Sequence, residues 1–401
     1  MAEVSCNIVE SFDHIDKKTE AEWDRLTLAT RGSIYLTCSW CRVWWECYSR
    51  DRPLRILFYY DENRLIAVLP LYIDPIYLGP VRVKAARFIG ANNPMRVFDP
   101  PIMEERAASI AAHMADHFLR RERCDTISIG PFSDESASKT AFVASFRRMN
   151  DASVDFTEKP FGVYTYFTLP DSFEEYMVAL APKQKKHRVK YDLNAMSKEY
   201  SVRLDVLQDP EKVSSEFPGF LRLHTDQWRN EGKPGHFGAW PGSASFHRRL
   251  AAELAKQGRT RLIKVTADDT PIIYQYAYCF GDRCYWLLPA RIIGKQWDRF
   301  SLGQKATVAL IRCLIEEKIK HIEAGVSHYD YKSRLGAIES KISTLRLTSR
   351  RLGSRMKSSL LEKCFYAVNI VYYKIWYCRI QPRLPSRFHF PVWKAWIDLN
   401  V

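Results

Sequence analysis

The sequence predicts an α/β protein with α+β mixed sheets, built as two tandem units and closed by a basic, aromatic-rich helical tail. Three observations predict it. A strand–turn–strand pattern occurs twice, an amphipathic helix and a short apolar strand follow each copy, and the excess positive charge collects at the C-terminal end. The 401 residues also exceed what one ordinary hydrophobic core holds.

The elements follow in order. An aromatic helical stretch, Cys38–Tyr48, leads into the strand Leu54–Tyr60, the turn Asp61–Asn63 and the strand Leu65–Tyr72. The helix Ala107–Arg121 and the strand Thr126–Ile129 complete the first copy. Ser133–Glu158 is polar and poorly periodic, which suits a boundary. The second unit opens with the strand Tyr164–Leu169 and the helix Ser172–Ala181. Ser172 is its N-cap, Glu175 stands three residues on, and Pro182 ends it. A second aromatic helix, Phe217–Arg229, precedes the strands Arg261–Thr266 and Ile272–Phe280, joined at Asp268–Thr270. Gly281-Asp282 then turns into a third strand, Arg283–Leu288. Leu302–Glu317 and His321–Ala324 repeat the closing helix and strand. Matching pieces lie 207 residues apart at the hairpins and 195 at the closing strands, which argues for two copies of one unit. The expected divisions are 1–150, 160–355 and a tail over 356–401.

Composition removes several classes. Hydrophobic residues at 46% and charged residues at 26% exclude a largely disordered chain. No apolar run reaches the roughly 18–20 residues that span a bilayer. Met1–Glu10 lacks the basic-then-apolar pattern of a secretory signal, so the expected compartment is the cytoplasm. Ten scattered cysteines do not make a disulfide scaffold at this size. Cys38 and Cys41 have redox or zinc spacing, but a zinc knuckle needs a second pair. The net charge is +14, and residues 330–401 hold 14 Lys/Arg against four acids. Lys183–Lys190 adds five basic residues. Surfaces of this kind suit anionic partners: cofactor phosphates, nucleic acid or a membrane face. Between Leu360 and Trp396 the basic residues interleave with aromatics, as in a segment lying on an anionic membrane interface, or in a helix packed on the protein's own core.

One set of residues matches a family. Ser301-Leu-Gly303 before a helix, then a short strand, then Glu323-Ala-Gly325-Val-Ser-His-Tyr-Asp-Tyr331-Lys332, resembles the C-terminal signature of GNAT-like acetyltransferases of the cellulose-biosynthesis CelD/BcsL type. These are similar to the FemABX peptidyltransferases, which carry two GNAT-like units in tandem. Leu302 stands where that signature has proline, Glu323 where it has aspartate, and Ser327 where it has a second glycine. The resemblance covers roughly Thr165–Leu335, with softer matches at His224, Trp228 and Gly232. It implies acyl transfer from acetyl-CoA or another acyl-CoA, without a metal, to an exopolysaccharide or envelope precursor. The FemABX side of it implies a charged tRNA as an alternative donor, and a non-catalytic partner of a membrane polysaccharide synthase is a third reading.

Acyl transfer from coenzyme A requires a pyrophosphate cradle, a base and stabilisation of the oxyanion and thiolate. Helix N-termini bind phosphates, which points to Ser301 and Gly303, with Arg299, Gln304 and Lys305 beside them. Glu323, His328 and Asp330 at a strand end are the possible bases; each alone is also readable as an ordinary paired or loop residue. Tyr331 is placed to protonate the thiolate, as GNAT-like enzymes commonly use a tyrosine. Lys332 is placed to contact phosphate or substrate, and His224 to face the acceptor. His113-Met-Ala-Asp-His117 lacks the glutamate of a metalloprotease helix, so these read as surface histidines. Gly325–Tyr329 lacks the closing glycine of a nucleophile elbow. There is no P-loop and no dinucleotide-binding glycine motif.

Overall fold

The computed structural model describes residues 4–91, 96–149, 154–180 and 193–400. Pro182 and the basic stretch Lys183–Lys190 lie outside the described residues. The chain forms two units. One comprises Met1–Val163, Ser340–Arg379 and Val392–Val401, the other Tyr164–Glu339 and Ile380–Pro391.

In the first unit the strand order is β1 (Val4–Val9), β2 (Leu54–Asp61), β3 (Arg64–Leu78), β4 (Val81–Phe88), β5 (Thr126–Ser133), then the returning β12 (Ile338–Ser349). Every pair is antiparallel except β4 and β5, which run parallel. Parallel neighbours need a crossover, and α3 (Ala107–Asp116) supplies it. Two helices, α1 (Lys17–Ala29) and α2 (Cys38–Tyr48), separate β1 from β2. Asp16 caps α1 by accepting from the Thr19 amide at 2.7 Å. Trp23, Trp40, Trp44, Phe58 and Tyr72 fill the core that these elements enclose.

The second unit repeats the plan. Its order is β7 (Val202–Leu207), β8 (Thr260–Ala267), β9 (Thr270–Phe280), β10 (Arg283–Arg291), β11 (His321–Val326), then the end of β6 (Val154–Thr168) from Tyr164 on. Here β10 and β11 are the parallel pair. The helix Phe173–Ala179, α5, starts at Ser172, whose hydroxyl accepts from the Glu175 amide. It ends two residues before Ala181. Between β7 and β8 lie α6 (Pro210–Asn230), the one-turn α7 (Gly235–Ala239) and α8 (Ser243–Ala255). The single turn α9 (Lys295–Asp298) and then α10 (Leu302–Glu316) link β10 to β11, and α11 (Asp330–Arg334) follows β11.

Four features differ from the sequence expectations. The first unit has a third hairpin strand, β4, so its match to the second is closer than two strands suggested. The stretch read as a polar boundary holds the helix α4 (Ala137–Met149) and the start of β6. Phe142 and Phe146, one turn apart, are fully buried there, while Lys139 ties to Asp134 and Glu158. The tail is not a separate body. Ile342–Thr348 pair with β5, and α12 (Leu352–Val368) with α13 (Lys394–Leu399) packs on Ile76, Val83 and Ala85 through Leu361 and Leu399. Of the histidines read as surface residues, His117 is buried, and His113 is half-buried with its Nδ1 3.1 Å from the Tyr59 hydroxyl.

Candidate functional site

β10 and β11 pair over three residues, Arg283–Tyr285 with His321–Glu323. Beyond Tyr285, β10 bulges against β9 between Trp286 and Leu288. Pro289 follows, with no N–H to offer a neighbour. The two strands therefore part, and their facing edges are unpaired from Trp286 and from Ala324 onward among the described residues.

Lys332 enters this wedge from α11. Its Nζ donates to the Ala324 carbonyl at 2.6 Å and lies 5.3 Å from the Trp286 ring and 4.5 Å from the Tyr329 ring. The side chain is 6% exposed, and burial lowers its pKa to about 8. An ammonium buried here does not reach out to a solvent-side phosphate; it faces the strand edges. Tyr331 packs on the core beside it, and burial first, then Tyr329, pushes its phenol up to about 12. At neutral pH it keeps its proton, as an acid must.

His224, on α6, is 1% exposed. Its Nδ1 is 2.9 Å from the Pro289 carbonyl, which accepts, so Nδ1 carries the hydrogen. Nε2 is then a lone pair, 3.3 Å from Nδ1 of His236, which must donate to it. Both rings are neutral: burial and then His236 lower His224 to about 3, and burial lowers His236 to about 4. The outer Nε2 of His236 has no protein partner among the described residues. Gly235, at φ +68°, makes the approach possible, since a Cβ there would sit 3.0 Å from Trp228.

The other strand-end residues are engaged. One oxygen of Glu323 meets Arg283 at 3.0 Å and the other accepts from the Tyr164 hydroxyl, so each already holds one donor. His328 is exposed and lies between Glu339 and Asp330. Hydrogen bonds donated to Glu339 first and Asp330 second raise its pKa, so it leans toward the cation and away from the base role expected of it. Ser327 sits at φ +108°, where the related signature has glycine. Its carbonyl accepts from Thr165 at 2.9 Å, which holds the turn in place. Ser327→Gly is expected to raise stability by about 1 kcal/mol, seen as a higher denaturant midpoint at unchanged slope. A lower midpoint would contradict the strain.

At the other end of the crossover, Ser301 is the N-cap of α10 in a left-handed conformation, φ 52°. The amides of Gln304 and Lys305 already donate to its carbonyl. Those of Leu302 and Gly303 have no acceptor among the described residues, the usual state of a first helical turn. Arg299 pairs with Glu199 and lies over Phe300. Lys305, expected beside the phosphates, is 2% exposed and turned into the unit. Arg291, at the end of β10, comes nearest: its Cδ and Nε would lie 3.9 and 4.0 Å from a Cβ on Gly303. The sequence singles out neither Arg291 nor His236, and the one local signal for His236 is the Gly232–Gly235 turn that folds the chain back onto α6. Among the described residues no cluster of His, Cys, Asp or Glu is arranged to hold a metal.

Residues 183–333 match the family described as Acetyltransferase (GNAT) domain. No curated protein matches the sequence. Among solved structures, FemX is similar at a TM-score of 0.60 and 10% identity, covering 81% of this chain and 95% of that one. A conserved protein of unknown function from Bacteroides thetaiotaomicron VPI-5482 gives 0.53 and 8%, covering 86% and 100%. A tandem GNAT protein from the clavulanic acid biosynthesis pathway gives 0.41 and 11%, covering 86% and 98%. Residues 183–333 thus match the GNAT acetyltransferase family, within a mixed α/β chain that shares the fold of FemX.

Proposed function

We propose that the protein is an acyl-CoA-dependent N- or O-acyltransferase, with the donor in the second unit and an exopolysaccharide or cell-envelope precursor as acceptor. The observation that carries this reading is the wedge between β10 and β11, with a buried ammonium inside it and two free helical amides at the end of its crossover. Those amides, with Ser301, Arg291 and Arg299 nearby, would hold the pyrophosphate. The acceptor's amine or hydroxyl attacks the thioester carbonyl, the C–S bond breaks, and the acceptor's proton leaves to a base. The outer nitrogen of the His224–His236 pair, which is anchored to the diverged part of β10 through the Pro289 carbonyl, is the open lone pair that would take it. Lys332 would stabilise the oxyanion as a cation, and Tyr331 would return a proton to the thiolate. The resemblance to the cellulose-biosynthesis group is the support for the pathway.

Calorimetric titration with acetyl-CoA and with free coenzyme A tests the donor. Micromolar binding is expected, and no binding to either would retire it. The fold of FemX favours one second reading, transfer from a charged tRNA; RNA binding that weakens steeply with salt would select it. Binding of neither donor would leave a scaffold role. No helix among the described residues is long and apolar enough to cross a membrane. The outer face of the tail nonetheless exposes Leu352, Met356, Tyr366 and Val371 near Lys363 and Lys374, which supports peripheral contact with an anionic membrane from the cytoplasmic side. Failure of the full chain to float with anionic liposomes would remove that contact.

A further inference from the structure

The first unit has an opening of its own at the matching place. β4 and β5 pair in parallel over three residues, Ala85–Arg87 with Thr126–Ser128; β4 then ends at Phe88 while β5 runs on to Ser133. The space is open: a cavity of about 570 Å³ lies there, within the range of small-molecule sites, roughly 300–1,000 Å³. Arg87 and Ser128, the last register pair of β4 and β5, line it, with Arg346 from β12 and Lys159 from β6, while Leu361 and Phe365 of α12 close it from the tail.

Its charge is one-sided. Four cations, Arg87, Lys159, Arg346 and Lys363, line the cavity against one carboxylate, Glu362. Glu362 already takes both Lys159 and Arg346. Arg87 is 2% exposed; it pairs with Asp74 at 3.0 Å, donates to the Asn400 carbonyl, and shares Asp74 with Arg52. Arg346 is 7% exposed. Burial lowers its pKa, with Glu362 acting against that and Arg87 adding to it. Burial and then Arg346 lower that of Lys159. Lys159 is part-exposed and Lys363 exposed, but Arg87 and Arg346 are buried cations that repel each other, and such a pair is costly unless counter-charge is close.

We propose that this cavity is a ligand site of the first unit for a small organic anion, a phosphate or carboxylate joined to an apolar body, with the anionic group against Arg346 and Lys159 and the body against Leu361 and Phe365. The first unit is then a binding module in its own right, whatever the donor of the second. Because α12 supplies the roof, occupancy also ties the tail to the unit.

The test is calorimetric titration of the full chain with inorganic phosphate and with hexyl phosphate. Hexyl phosphate is expected to bind at least tenfold more tightly than inorganic phosphate. Thr344→Trp, which fills the cavity from a strand position where β12 is irregular against β5, and Arg346→Met should each weaken it at least tenfold. The ligand-free melting temperature of each variant reports whether it folds; if Arg346→Met does not, Lys363→Gln takes its place. Gly303→Phe should leave hexyl phosphate binding unchanged, which separates this site from the donor site. Hexyl phosphate binding no better than inorganic phosphate, or equally well to Thr344→Trp, would overturn the proposal, as would its loss in Gly303→Phe.

Discussion

Gly303→Phe is expected to weaken acetyl-CoA binding at least 100-fold, about 2.7 kcal/mol, while the melting temperature stays within a few degrees. The backbone of Gly303 is not in the left-handed region, and a Cβ there would meet no atom nearer than Arg291 Cδ at 3.9 Å. The protein itself therefore accepts a side chain, and a helix gains slightly when glycine leaves its first turn. What the ring fills is the space in front of the Leu302 and Gly303 amides. Gly303→Ala should change binding little and Gly303→Phe greatly, because one methyl does not fill that space. Calorimetry across the series checks this. Equal binding by Gly303→Phe and the parent protein would mean that phosphates do not approach this helix.

Much of the architecture is legible in local pattern. The strand β2 with its turn into β3, the strands β8 to β10, and the helices α2 and α10 follow from runs and periods a few residues long. The pieces not legible have distant partners or weak side chains. Val81–Phe88 reads Val-Arg-Val-Lys-Ala-Ala-Arg-Phe, an alternation carried by small residues that signals little without β3 and β5 on either side. The strand β12 finds its neighbour about two hundred positions earlier, at β5, and nothing in its own residues marks that.

The site divides in the same way. The order of Ser301, Gly303, Glu323, Tyr331 and Lys332 is visible in sequence, but their availability is not. Glu323 engages Arg283, on β10, with one oxygen and Tyr164, on β6, with the other; only the sheet order 6-11-10 brings those three together. Cys38 and Cys41 have redox spacing, yet both are buried, and burial pushes the Cys38 thiol up to about 12, so it is protonated and inert at neutral pH. Spacing reports which residues share an element, while burial decides which of them can react.

Lys332→Met is expected to stabilise the protein at neutral pH and to lower turnover about 100-fold or more. An unfolded lysine holds its proton to about 10.5, whereas Lys332 in the fold releases it near 8. Between those values the unfolded chain binds more protons, so the parent protein gains stability as pH rises through that window; below 8 the whole cost of burying the charge is present. A drop of about 2.5 units corresponds to roughly 3 kcal/mol. Loss of the hydrogen bond to Ala324 returns about 1–2 kcal/mol of that, leaving a net gain of about 1–2 kcal/mol at pH 7. Denaturant unfolding of both proteins from pH 6 to 10.5 reads the difference, which should shrink above pH 8 and reverse at about pH 9. A charge kept at such a cost in a wedge between parted strands is what an electrostatic role in the reaction requires. A variant less stable at every pH would show that the ammonium holds the strands together, and a variant with full turnover would remove Lys332 from the chemistry.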